Sequence, residues 1–111
     1  MEIIKRSRES LDKKDLYMMI TSKEIKKMSD APEKLKILDY VIYNDVRKDT
    51  GEIEKLISIK SEQDVFASNS VTFIECFEAI IECFGSDFNT IRIFKEKSKR
   101  GREFLNCCYV E

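Results

Sequence analysis

The segment KILDYVIYNDV (36–46) carries apolar side chains on both parities, with Ile37, Val41 and Tyr43 on one and Leu38, Tyr40 and Ile42 on the other. Its β-branched and aromatic content predicts a strand. Bulk on both faces fits a long, bent strand of a small barrel, in which different stretches turn toward the core. Asp49, Thr50 and Gly51 then supply hairpin-turn residues, and EKLISIKS (54–61) predicts an antiparallel partner. A further turn at 62–64 leads into VFA (65–67), a short third strand.

The pattern then changes period. In TFIECFEAIIECFG (72–85), Phe73, Phe77, Ile80 and Phe84 recur at helical spacing, while Glu75, Glu78 and Glu82 mark a wet side. Thr72 and Glu75 form a capping-box pattern, and Gly85 stands where a left-handed terminating residue belongs. TIRIFK (90–95) and REFLNCCYV (102–110) alternate as two more strands. The intervening Ser98 and Gly101 make the last pair a hairpin.

Ahead of this block, LYMMIT (16–21) permits another strand. Ser22 can cap a short helical turn that must end before Pro32. Residues 1–15 are charged and predict an N-terminal arm or a short surface helix. Residues 16–111 predict a single compact domain. Taken together, the order is mainly β with one helix, as in an OB-fold-like five-stranded barrel whose helix lies between strands 3 and 4. An α+β ubiquitin-like grasp shares the ββαββ order.

Composition narrows the chemistry. Within 111 residues, 42% are hydrophobic and 37% charged, as in a soluble globular domain, and no apolar run is long enough to span a membrane. The N-terminus lacks the apolar stretch of a secretory signal, so a cytoplasmic location is expected. The absence of His excludes imidazole bases, Ser-His and Cys-His pairs and zincin sites. Cysteines at 76, 83, 107 and 108 contain no CxxC pair and read as reduced thiols, so neither metal nor cofactor is expected.

Net charge is −1, but the signs are segregated. Between Ser61 and Thr90 there are six acids and no base. From residue 91 onward six bases face three acids, and residues 1–36 hold ten bases against seven acids. Lys95, Lys97, Lys99, Arg100 and Arg102, with Lys60, are therefore candidate phosphate contacts, whose affinity would fall with salt as counterions are released. Stacking platforms for bases would complete such a surface. Tyr43 and Phe94 are the first candidates, followed by Tyr40, Phe66, Phe104 and Tyr109. A solvated hairpin tip and buried strand aromatics would account for the same residues without function.

Two other readings compete. Asp45, Asp49, Glu52, Glu54 and Lys55 could serve a metal-dependent nuclease, although most of them point into solvent. The apolar arc of the helix, with Met18, Met19 and Met28, could instead form a protein-interaction or homodimer surface.

In layout, LKILDYVIYNDVRKDTGEIEKLISIKS, DVFASNSVTFIECFEAIIECFG and IRIFKEKSKRGREFLNCCYV resemble small single-stranded DNA-binding proteins of bacteriophages and mobile elements, which are of OB-fold type. The resemblance implies sequence-tolerant binding of single-stranded DNA, or of RNA, in replication or recombination, by a homo-oligomer, most simply a dimer. A phage-encoded chain would act in the host's cytoplasm, and the residue types themselves lead to no expected catalysis. The chain departs from larger bacterial single-strand binders in having no Trp and no acidic tail.

Overall fold

The computed structural model describes residues 1–110. Eight strands divide between two sheets. In the first, β4 (Asp39–Val46) and β5 (Ile53–Lys60) form the expected antiparallel hairpin. β6 (Val65–Ser68) adds antiparallel to β5. β1 (Glu2–Arg6) lies on the other side of β4, and β2 (Lys26–Lys27) runs parallel to β6, giving the order β1-β4-β5-β6-β2. The second sheet has the order β3-β7-β8, from β3 (Lys34–Lys36), β7 (Thr90–Lys97) and β8 (Glu103–Tyr109).

The chain passes from one sheet to the other at a sharp corner. The Ile37 N–H donates to the Asn89 carbonyl at 2.7 Å, and the next N–H, of Leu38, donates to the Lys60 carbonyl at 2.8 Å. Consecutive residues thus pair with different sheets, which is why the expected single strand over 36–46 is two strands.

Just past the corner, Asp39 ties β4 to the end of β1. Its carboxylate accepts from Ser7 Oγ at 2.9 Å and from Arg8 Nε and Nη2 at 2.9 and 3.2 Å. Burial pushes this carboxyl up, but the hydrogen bonds from Arg8 and Ser7 outweigh it and hold it below the ordinary aspartate range.

Helix α2 (Val71–Phe84) supplies the centre of the main core. Its Phe73, Ile74, Phe77, Ile80 and Ile81 pack with Tyr40, Ile42, Ile57 and Ile59 of the first sheet and with Ile91, Ile93 and Cys107 of the second. The Phe77 ring meets Tyr40 edge-on at 5.1 Å and Phe88 at 5.9 Å. Each such side chain, fully buried, contributes about 1.5–3 kcal/mol. The N-cap is Ser70 rather than the expected Thr72: its hydroxyl accepts from the Phe73 N–H and donates to the Leu105 carbonyl at 2.9 Å, joining the helix start to β8. Gly85, at φ 61°, ends the helix as expected.

A second helix, α1 (Lys13–Ile20), stands where LYMMIT suggested a strand. Asp12 and Asp15 cap it reciprocally: the Asp15 N–H donates to the Asp12 carboxylate at 2.9 Å, and the Asp12 N–H to that of Asp15 at 3.3 Å. Leu16, Met19 and Ile20, at helical spacing, pack with Leu11, Val41, Tyr43 and Leu56 against the first sheet's other face. Residues 2–6, expected in a charged arm or short helix, are the edge strand β1. Ser22 accepts from the Glu24 N–H, and the short helical turn before Pro32 is a 3-10 turn at Met28–Asp30.

The expected one-helix, five-stranded barrel is therefore not formed. There are two α-helices, and neither sheet closes: β1 and β2 end one, β3 and β8 the other. The grasp-like alternative also fails, because the strands divide between two sheets instead of wrapping one sheet around one helix. The physical reason is α1. It covers the second apolar face of β4, which bulk on both parities had suggested was explained by barrel curvature.

Candidate nucleic-acid interface

Residues that share a face of the second sheet follow from its register. Ile91 lies opposite Tyr109 and Ile93 opposite Cys107, and this parity faces α2. The other parity places Arg92 opposite Cys108, Phe94 opposite Asn106 and Glu96 opposite Phe104. β3 adds Lys34 opposite Arg92 and Lys36 opposite Thr90. Leu35, fully buried between two exposed lysines, confirms that β3 is dry on one side and wet on the other.

Phe94 and Phe104 are both half-buried, and neither packs against either core cluster. They are diagonal neighbours across β7 and β8, a relationship that sets positions roughly 7–8 Å apart. Lys34, Arg92 and Arg102 surround them. Arg92 pairs with Glu33 at 2.9 Å and Lys36 with Glu62 at 2.9 Å, all with half or more of each side chain exposed, so these contacts are weak and exchangeable. Glu96 accepts from Asn106 Nδ2 at the limit of 3.5 Å.

The hairpin tip beyond them is held by its own backbone. The Ser98 N–H donates to the Arg102 carbonyl at 2.8 Å, the Gly101 N–H donates to the Ser98 carbonyl at 2.9 Å, and the Arg102 N–H donates to Ser98 Oγ at 3.2 Å. Gly101, at φ 80°, occupies a conformation that a side chain would strain. Among the described residues, none of Lys95, Lys97, Lys99, Arg100 and Arg102 takes part in a salt bridge.

Strand alternation nevertheless divides this run. Lys95 lies opposite Leu105 and Lys97 opposite Glu103, on the parity that faces α2 nearer the core, whereas Arg102 shares the parity of Phe104. Lys99 and Arg100 occupy the turn. Lys60 is elsewhere, at the end of β5 beside Asp39, lining a separate cavity under α1.

Three of the six expected stacking aromatics are buried. Tyr40 is 7% exposed, Tyr43 5% and Phe66 4%, because every central strand of the first sheet is covered on both faces. Burial also pushes both phenols up from their ordinary values. Tyr109 is 37% exposed, but one face of its ring stacks on Phe84 at 4.0 Å. Phe94 and Phe104 alone combine partial exposure with an uncovered sheet face. Lys34, Lys36 and Arg92, outside the cations expected from the sequence, share the outer parity of this sheet. The signal for β3 was present in KLK, where one Leu between two lysines marks a one-sided strand.

The acidic hairpin weighed for nuclease chemistry is consumed locally. Arg47 makes a two-point pair with Asp49 at 3.2 and 3.1 Å, Asn69 donates to Glu54 and Lys55 pairs with Glu78. Among the described residues no group of three or more His, Cys, Asp or Glu could hold a metal ion, and no helix is long and apolar enough to cross a membrane. All four cysteines are free thiols. Comparison of the chain with protein-family models, with curated proteins and with solved structures returns no match.

Proposed function

We propose that the protein binds single-stranded nucleic acid across the open face of the second sheet. One observation carries this reading: Phe94 and Phe104 stand partly exposed, unclaimed by either core, on a face where Lys34, Arg92, Arg102 and the basic hairpin tip outnumber Glu96. Exposed aromatic rings stack bases of any identity, at about 1–3 kcal/mol per base, and flanking cations contact the phosphates between them. A duplex hides its bases from such platforms. The expected activity is therefore sequence-tolerant and selective for single strands, as strand protection in replication or recombination requires.

Titration of a labelled oligo-dT with the purified protein tests the reading. Binding should be tighter than to duplex of equal length and should weaken steeply with salt, with a slope of about −0.7 per phosphate contact. Lys99→Glu/Arg100→Glu, at the hairpin tip, should weaken binding and flatten that slope while leaving the melting temperature nearly unchanged. Absence of binding at about 50 mM salt, where phosphate contacts are strongest, would sink the proposal.

A further inference from the structure

Phe104 belongs to two surfaces. Besides the open sheet face, it lines a groove between the β8 edge and the end of β6, where the first sheet, the start of α2 and the second sheet meet. The groove has a volume of about 740 Å³, within the roughly 300–1,000 Å³ of small-ligand sites. Leu56, Val71 and Leu105 give it apolar walls, while Lys27 and Arg102 outnumber its single acid, Glu103. Neither Lys27 nor Arg102 is engaged in a salt bridge among the described residues.

We propose that this groove receives one unstacked base of the bound single strand, continuing the track that begins on Phe94 and Phe104. The inference rests on the single-strand reading above. Three properties favour a nucleotide over other occupants. The groove is continuous with the sheet face through Phe104 and Arg102. Its apolar walls suit the flat face of a base, and Ser29, Ser68 and Asn69 bring polar groups for the base's edge. Its cations lie at the rim, where a phosphate would remain in water. A strand crossing the β8 edge would leave the sheet at this place, and the next base would find a second wall in Leu56 and Val71 instead of open solvent.

The test uses the full chain and an oligo-dT carrying a single 4-thiothymidine, irradiated in complex and mapped by mass spectrometry. Crosslinks mapped to the residue are expected at two places: the sheet face (residues 92–94 and 106–108) and the groove (residues 27–29 and 67–72), with residues 102–105 common to both. Val71→Glu places a carboxylate on the groove wall at a position already 67% exposed, at a helix start where an acid is tolerated. It should weaken oligo-dT binding about tenfold, the scale of one lost base contact, with an unchanged melting temperature. Ala79→Glu adds the same charge on an exposed part of α2 outside the groove lining and should leave binding near the parent value. Normal oligo-dT binding with crosslinks confined to the sheet face, or equal affinities of Val71→Glu and Ala79→Glu, would overturn the groove while leaving the sheet-face reading intact. Absence of binding by the parent chain would overturn both.

Discussion

The two sheets of this protein are built from strands of similar texture and end in different states. β4 buries both of its faces: Tyr40 and Ile42 meet α2, and Val41 and Tyr43 meet α1. β7 buries one: Ile91 and Ile93 meet α2, while Arg92 and Phe94 look outward. An aromatic residue in the first sheet is a core residue, and one on the outer parity of the second is available. The difference lies in what covers the strands, since Tyr43 and Phe94 look alike in sequence, each beside polar neighbours. Coverage by a second layer turns an alternating strand into a wholly buried one.

The largest difference is expected between a ring of the shared core on α2 and a ring of the outer face. Phe77→Ala should cost about 3–5 kcal/mol of stability in denaturant unfolding, since a large buried ring is lost and a cavity remains. Phe94→Ala should cost less than about 1 kcal/mol. Equal losses would show that the outer face of the second sheet is as tightly packed as the core.

Binding should invert the ranking among the aromatics. Phe94→Ala and Phe104→Ala should each weaken oligo-dT binding by about 1–3 kcal/mol. Tyr43→Phe keeps the buried ring and should leave affinity unchanged. A binding loss in Tyr43→Phe that matched Phe94→Ala would place the platform on the wrong sheet.

A smaller effect is expected where β1 joins the chain corner. Asp39→Asn should cost about 1–2 kcal/mol, since it weakens charge-assisted hydrogen bonds to Arg8, which is itself half-exposed. The folded carboxyl lies below its ordinary value of 3.8. Its contribution is therefore fully present above that pH and is lost as the pH falls through the depressed folded value. The stability gap between parent and Asp39→Asn, followed by thermal melts, should close on acidification below the ordinary value. A gap that widened in acid would contradict the assigned ion pair.

The smallest perturbation uses two adjacent thiols on opposite faces of β8. Cys108 is exposed, whereas Cys107 is buried against α2, 3.6 Å from the Phe73 carbonyl, and burial pushes its thiol up to about 12. Since the thiolate is the nucleophile, a disulfide reagent at mild alkaline pH should modify Cys83 and Cys108 quickly and Cys107 only on unfolding. Mass mapping of the labelled peptides reads this directly, and rapid labelling of native Cys107 would mean that α2 does not shield that face.

Much of the element order was legible along the chain. The β4–β5 hairpin, the short β6, α2 with Gly85 at its end and the β7–β8 hairpin all follow from local alternation, helical spacing and turn residues. α1 was not, because LYMMIT is short enough to satisfy either period, and its capping pair, Asp12 and Asp15, lies outside the apolar run. β1 was hidden by its charges, which an edge strand tolerates on its outer side. Of the candidate site, the hairpin cations and Phe94 and Phe104 were identifiable, whereas Lys34, Lys36 and Arg92 became neighbours only when β3 paired with β7.

What the sequence determines by itself is local: which segments extend, which coil, where the chain turns, and that the cations concentrate in the last hairpin. These depend on interactions within a few residues. Tertiary structure decides which faces are left open. Because α2 covers one face of the first sheet and α1 the other, Tyr40 and Phe66 are buried on the α2 side and Tyr43 on the α1 side, whereas among the described residues neither core cluster reaches Phe94 and Phe104 on the outer side of the second sheet. Exposure is set by the covering layer, and a strand's own residues record it only where, as in KLK, apolar and charged positions alternate cleanly.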